Sequence, residues 1–377
     1  MIDLQNQYFR IKDEIDDAIH EVLNSAKFIK GAQVAEFEAA LARYHEVETA
    51  VSCGNGTDAL QIALMTLDLK PGDEVILPAY TYVATAEVIA LLKLKPVFVD
   101  VDYDTFNIDV AQIPEKISPK TKAIIGVNLF GQCAELELLK EISQHYDIHL
   151  IEDNAQSIGG SFRFRSGTEF KAGTVGDIGC LSFFPSKNLG CFGDGGAMIF
   201  KDPRLAERAR MIANHGQKVK YHHDIIGCNS RLDTIQAAVL NVKLKYLDQY
   251  NQKRKEVVSS YNQNLKGLEG IILPVAHPRS THVYNQYTLK LPNFDRDQFR
   301  TSLKEKGVPS MVYYPIPLHL QKAYQDSEHP EGSLPVSERL SKEVLSLPLH
   351  TELNQEKQDF IIQSVKTTIE EMVKVPG

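Results

Sequence analysis

The chain has 377 residues, 43% of them hydrophobic and 24% charged, and a formal net charge of −8. That length supports a large domain plus a smaller one, with core enough to keep water out of a buried site. The acidic balance excludes a nucleic-acid backbone or an anionic membrane surface as the expected partner, and no charged-then-apolar opening marks a secretory signal. The apolar stretch 75–92 is interrupted by Pro78 and Glu87 and falls short of a membrane span. Five scattered cysteines (Cys53, Cys133, Cys180, Cys191, Cys228) form no CxxC pair and read as reduced thiols of a cytoplasmic protein.

In chain order, Ile11, Ile15, Ile19 and Val22 recur at helical spacing and predict an opening amphipathic helix, followed by a second over Val34 to His45. Strands are then expected at 49–53, 74–77, 96–100, 123–127 and 149–152, alternating with helices at 57–67, 82–92 and 135–146. Such alternation predicts βαβ units, hence an α/β fold with a mostly parallel mixed sheet and flanking helices. A Gly-rich region from 153 to 196 carries short strands near 178–183 and 197–200, and helices follow over 204–213 and 230–250. The large domain is expected to span 1–250. A smaller C-terminal α+β domain over 251–377 would hold strands at 271–273, 284–291 and 309–312 and helices at 296–306 and 354–374.

Ligands of an open α/β sheet collect at the carboxyl ends of its strands, and three candidates fall there. Cys53-Gly54-Asn55-Gly56-Thr57-Asp58 runs from a strand through a tight turn into a helix, whose first N–H groups make an anion site. By itself it reads more readily as an ordinary Gly-Asn-Gly connector, since such turns are common. The segment 148–156 ends an apolar strand on Glu152-Asp153 and brings Gln156 three residues later. A buried aspartate there can keep a pyridine nitrogen protonated, while a plain strand-end acid is at least as common. In 181–190 a lysine, Lys187, sits among aromatic and small residues behind Ser182 and Ser186. Desolvation makes such an amine a nucleophile for a carbonyl, although most lysines are simply exposed. Two decoys carry less. Gly173, Gly176 and Gly179 have no helix after them, and His215, His222 and His223 lack the Cys or acid that would complete a metal site, so no metal is expected.

The order of the three candidates, with the segments Gly-Thr-Asp-Ala-Leu (56–60), Thr-Tyr-Val-Ala-Thr (81–85), Glu-Asp-Asn-Ala-Gln (152–156), Ser-Phe-Phe-Pro-Ser-Lys-Asn-Leu-Gly (182–190), Gly-Asp-Gly-Gly (193–196), Asn-Ser-Arg-Leu-Asp (229–233) and Tyr-Pro-Ile-Pro-Leu-His (314–319), resembles the DegT/DnrJ/StrS family of nucleotide-sugar aminotransferases. The resemblance spans nearly the whole chain and implies a fold-type I enzyme dependent on pyridoxal 5′-phosphate. It implies that Lys187 holds the cofactor as a Schiff base and moves the proton, that Asp153 holds the pyridinium nitrogen, and that Gln156 meets the phenolic oxygen. Tyr82 would lie against the ring, and Gly56, Thr57 and Ser182 would bind the phosphate. Asn229 would reach the phosphate from the partner of a homodimer with shared sites, Arg231 would anchor an acidic substrate group, and Tyr314 and His319 would wall the sugar pocket.

Two positions depart from the family pattern: Asn154 replaces a small residue, and Tyr313 stands where His often precedes Tyr-Pro. The wording is closest to members that use L-glutamate to aminate UDP-2-acetamido-2-deoxy-3-oxo-glucuronate for surface polysaccharides such as lipopolysaccharide O-antigen. A dTDP-3-keto-6-deoxyhexose is the alternative sugar. A sugar dehydratase is disfavoured by the lysine, since such relatives carry histidine there. A non-enzymatic pyridoxal-phosphate-binding regulator is disfavoured by the intact Lys187, Asp153 and Gln156.

Overall fold

A computed structural model describes residues 1–325 and 328–374. Helices α1 (Leu4–Arg10), α2 (Lys12–Ser25) and α3 (Ala32–His45) precede strand β1 (Thr49–Cys53). The expected opening helix is α2, which begins just after its N-cap Ile11, and the short α1 ahead of it was not foreseen. Next come α4 (Gly56–Thr66), β2 (Glu74–Pro78), α5 (Ala84–Leu91), β3 (Lys95–Val99), β4 (Thr121–Val127), α6 (Leu136–Tyr146) and β5 (His149–Asp153). A ribbon of β6 (Ser161–Arg163) and β7 (Glu169–Lys171) leads to β8 (Ile178–Ser182), β9 (Gly196–Phe200) and α7 (Pro203–Ile212). Side chains cap these helices where the chain turns: Asn55 accepts the Asp58 N–H at 2.8 Å to start α4, and Asp202 with Pro203 starts α7.

The seven strands of the main sheet run in the order β1-β9-β8-β5-β4-β2-β3. Only the pairings of β9 are antiparallel, so the carboxyl ends of the other six lie at one edge. Strand alternation divides the core. Val75, Leu77, Ile125 and Ile151 face the cluster built with α4 and α5, while Ile76, Ile124 and Leu150 face α6. Toward the β1 end, Ala50, Leu181 and Ile199 pack on Phe37 and Leu41 of α3.

The remaining elements are a short exposed ribbon, β10 (Gln217–Val219) with β11 (His222–His223), then α8 (Thr234–Leu244), α9 (Leu247–Leu265), β12 (Tyr287–Lys290), α10 (Arg296–Glu305), α11 (Pro335–Glu343), β13 (Val344–Leu347) and α12 (Gln355–Lys374). The long helix expected over 230–250 is therefore two helices, the second running to Leu265. The expected boundary after residue 250 falls inside α9, not in a linker. Its later residues Val257, Tyr261 and Leu265 pack with Tyr287, Leu345 and Phe299 in a second core. Part of the following chain returns to the first core through Leu318, Leu334 and Leu340. The strands expected at 271–273 and 309–312 shrink to single bridges, Ile272 to Lys290 and Met311 to Ser346, and α11 and β13 were not foreseen. Among the described residues no helix is long and apolar enough to cross a membrane.

Glu152, fully buried in β5, accepts backbone N–H groups from Gly173 (2.8 Å), Val175 (2.6 Å) and Gly176 (2.9 Å), and the Asn128 side-chain amide at 3.2 Å. Two of the three glycines that mimicked a dinucleotide motif, Gly173 and Gly176, thus donate to a carboxylate of their own chain. Neighbouring Asn154 closes the same layer, bonding Ala172 O at 2.9 Å and Asn128 at 3.2 Å. Glu152→Gln turns one acceptor into a donor facing N–H groups, so a loss of about 3 kcal/mol is expected. A urea midpoint unchanged from the parent would contradict that assignment.

Candidate active site

Five of the six parallel strands, β1, β2, β4, β5 and β8, deliver their carboxyl ends to one cavity of about 600 Å³. Asn55, Gly56 and Thr57 follow β1, Thr81 and Tyr82 follow β2, Val127 ends β4, Asp153 ends β5 and Ser182 ends β8. Lys187 enters from the loop between β8 and the antiparallel β9, which adds Asp194 and Gly195. A β-carbon on Gly56 would lie 2.7 Å from Ser182 Cβ, so only glycine lets the start of α4 come this close to the end of β8. That leaves the first N–H groups of an eleven-residue helix beside two hydroxyl-bearing residues, Thr57 and Ser182.

Asp153 is buried, and desolvation pushes its carboxyl up from the usual range, opposed by hydrogen bonds from the Ala155 N–H and the Thr85 hydroxyl and by the charge of Lys187. Lys187 shows the reciprocal effect. Part of its side chain is open to the cavity, yet desolvation lowers its amine from 10.5 to about 8, offset by the Asp153 charge. A depressed amine facing a buried carboxylate is the signature of a nucleophile beside a cation partner. Gln156 is fixed at both ends of its amide: Oε1 accepts the Phe130 N–H at 2.8 Å and Nε2 donates to the Tyr314 hydroxyl at 3.2 Å. Tyr82, more than half exposed, tilts toward Tyr314 with ring centroids 6.2 Å apart.

The structure therefore brings together Gly56, Thr57, Tyr82, Asp153, Gln156, Ser182, Lys187 and Tyr314. It does not bring His319 to them. That side chain is fully buried and its Nε2 meets Glu338 at 3.1 Å, so it is no part of the cavity wall, and the expectation that it lines the sugar pocket is corrected. Asn229 and Arg231 also lie outside this cavity. Arg231 donates to Asn229 Oδ1 at 2.8 Å and lines a second cavity of about 500 Å³ with Lys30 and Arg210. Sequence reasoning missed Asn285 and Gln286, which approach from the segment before β12. It also missed Tyr80, fully buried, whose hydroxyl donates to Tyr313 O at 2.6 Å and accepts the Tyr314 N–H at 2.9 Å. Tyr80 stood two residues ahead of a singled-out tyrosine, but nothing local linked it to residue 313.

The residues fit pyridoxal phosphate. The cavity has room for a small aromatic ring, one amine near neutrality and one buried carboxylate. It also has a helix start for a phosphate, and the Thr81 hydroxyl in its wall is buried without a hydrogen-bond partner.

Residues 10–366 match the DegT/DnrJ/EryC1/StrS aminotransferase family. The chain is 46% identical to the UDP-2-acetamido-2-deoxy-3-oxo-D-glucuronate aminotransferase of Pseudomonas aeruginosa, over 94% of this chain and 95% of that one. It is 43% identical to a pleiotropic regulatory protein of Geobacillus stearothermophilus, over 97% of each. The crystal structure of DesV from Streptomyces venezuelae superposes with a TM-score of 0.93 at 39% identity, covering 98% of both chains.

An amine at about 8 has a testable consequence. Freed of cofactor and mixed with pyridoxal phosphate, the protein should capture it covalently at a rate that climbs with pH and levels off above about pH 8, as the neutral amine saturates. An ordinary lysine would keep gaining about tenfold per pH unit up to about pH 10. Absorbance followed after rapid mixing separates the two, and a rate still climbing at about pH 9.5 would exclude a depressed Lys187.

Proposed function

This chain belongs to the DegT/DnrJ/EryC1/StrS aminotransferase family, and we propose that it transfers the amino group of L-glutamate to UDP-2-acetamido-2-deoxy-3-oxo-glucuronate. As a member of that family it is a pyridoxal-phosphate-dependent sugar aminotransferase. The observation that carries the chemistry is the depressed amine of Lys187 facing the buried carboxylate of Asp153 in one cavity. The substrate choice is supported by the 46% identity to the Pseudomonas enzyme over nearly the whole chain, and by an arginine at 231, whose planar fork suits a uronate carboxylate.

The bound cofactor supplies an electron sink for a carbanion at the carbon next to nitrogen. Lys187 Nζ, tethered beside the reacting carbons, removes a proton from one and returns it to the other. Asp153 holds a proton on the ring nitrogen, Gln156 orients the phenolic oxygen, and Gly56, Thr57 and Ser182 bind the phosphate. Tyr82 covers the ring, and Tyr314 borders the sugar. Asn229 and Arg231 serve the partner subunit's site in a cytoplasmic homodimer, a reading supported by their absence from the lining of their own chain's cavity and by the exposed Phe28, Ile29, Phe184 and Phe192. The product would feed surface-polysaccharide synthesis. Relatives acting on dTDP-linked sugars support a second reading, a dTDP-3-keto-6-deoxyhexose, and Tyr313 beside the sugar wall is the residue that favours considering it.

Turnover with glutamate against a panel of UDP- and dTDP-keto-sugars tests the substrate. The uronate should react fastest, and failure to aminate it removes that assignment while leaving the family chemistry intact. Lys187→Ala should abolish turnover even where cofactor is retained without a covalent bond. Mixed with an inactive Arg231→Met protein, it should regain activity, because a hybrid dimer holds one site with both residues. Two inactive proteins that stay inactive after subunit exchange would place Arg231 in its own chain's site or in none.

A further inference from the structure

The two oxygens of Asp153 have different neighbours. Oδ1 accepts the Ala155 N–H at 3.2 Å, a contact within its own turn, and Oδ2 accepts the Thr85 hydroxyl at 2.9 Å from the first turn of α5. Thr85 has no exposed surface. A threonine in a helix ordinarily turns its hydroxyl onto a carbonyl of the preceding turn. Here it reaches instead to a carboxylate 68 residues away, inside the sheet edge.

We propose that Thr85 is a positioning residue for the reaction: its hydroxyl fixes the plane of the Asp153 carboxylate, supports its negative charge, and leaves a lone pair of Oδ1 aimed into the cavity for the cofactor's ring nitrogen. The inference rests on the reading of Asp153 as the partner of that nitrogen. Three observations converge on it. Burial alone favours the neutral acid, and a neutral Asp153 would not hold a ring proton; the Thr85 hydroxyl is one of only two hydrogen bonds that oppose burial. The neighbouring Glu152 draws its donors from the opposite face of β5, so it lends Asp153 no support. The loop that opens α5 also carries Thr81 and Tyr82 into the cavity, so Thr85 ties the carboxylate to the wall on which the ring would rest.

The test uses full-length enzyme loaded with pyridoxal phosphate carrying nitrogen-15 in the ring, whose chemical shift reports ring protonation directly. In Thr85→Val the ring nitrogen should lose its proton about one pH unit lower than in the parent, a hold weakened about tenfold. kcat should fall by a similar factor with little change in KM for glutamate, and Thr85→Ser should restore both. A Thr85→Val ring that titrates like the parent overturns the proposal, as does a Thr85→Ser enzyme that falls with Thr85→Val, which would make packing of the methyl the cause. Should Thr85→Val not fold, Thr85→Ala removes the hydroxyl without a new methyl in its place and must show the same shift. Asp153→Asn separates the premise. If its ring nitrogen stays protonated like the parent's, the reading of Asp153 fails and the proposal with it. If the ring loses its proton there but not in Thr85→Val, Asp153 stands and only the role of Thr85 falls.

Discussion

Strand β5 ends on two adjacent carboxylates, and the two-residue period of a strand sends them to opposite faces of the sheet. Each is buried, and a buried carboxylate costs several kcal/mol unless donors or a cation compensate. The chain resolves the two in unlike ways. Glu152 is surrounded by three backbone N–H groups and an amide, so nothing remains for it to attract. Asp153 receives one N–H and one hydroxyl, and its remaining capacity faces the Lys187 cavity. This inequality leaves one carboxylate at the edge of the sheet open to a further partner. The same strand supplies a rigid, fully satisfied anchor and, one residue on, an under-satisfied carboxylate that a cation would complete.

Lys187 is held to this arrangement by its own neighbour. Asn188, buried, donates to Asn251 Oδ1 at 2.7 Å and to Val283 O at 3.1 Å, and accepts from Asn285 at 3.1 Å. Asn251 belongs to α9, and one turn later Arg254 bonds the carbonyls of Tyr284, Asn285 and Leu349. Its guanidinium has been drawn down to about 10 by desolvation alone, so its partners are carbonyl dipoles rather than a carboxylate. The helix that carries the chain from the first core into the second therefore also grips the loop of Lys187 and the segment of Asn285. Packing in the second core reaches the cavity through hydrogen bonds with defined directions, not through general compactness.

What was legible in the sequence follows from how local its cause is. Strands β1, β2, β4 and β5 were readable to within two residues because each is a short apolar run flanked by turn residues, and the cavity residues at their ends came with them. Residues whose role depends on a distant partner were not readable. Thr85 looks like any helical threonine until Asp153 is placed beside it, and Tyr80 like any buried tyrosine until the Tyr313–Tyr314 segment returns to the first core. Strands 271–273 and 309–312 failed for the converse reason. Their alternation is real, but β12 and β13 pair with each other and leave them a single bridge apiece. No composition change marks the helix spanning residue 250, because the same amphipathic run serves two cores in succession, Leu247 in one and Val257, Tyr261 and Leu265 in the next.

The misplacement of His319 follows from that same logic and bears on where selectivity resides. Its segment was read as one unit, 314–319, yet the chain divides after the first residue: Tyr314 lines the cavity, while Leu318 is buried in the first core and His319 turns to Glu338. From this segment only Tyr313 and Tyr314 line the cavity, and the Tyr80 hydroxyl bonds the backbone of both. The single hydrogen bond from Gln156 to Tyr314 then joins a residue read as touching the cofactor to one read as touching the sugar. A change of sugar that moves Tyr314 must either break that bond or carry Gln156 with it, and Gln156 is pinned by the Phe130 N–H at its other end. With Gln156 on the cofactor and Tyr314 on the sugar, as proposed, substrate preference and cofactor geometry would be linked at this hydrogen bond. Tyr313 lines the same cavity but takes no part in that bond, so a change of its side chain leaves the Gln156–Tyr314 link in place.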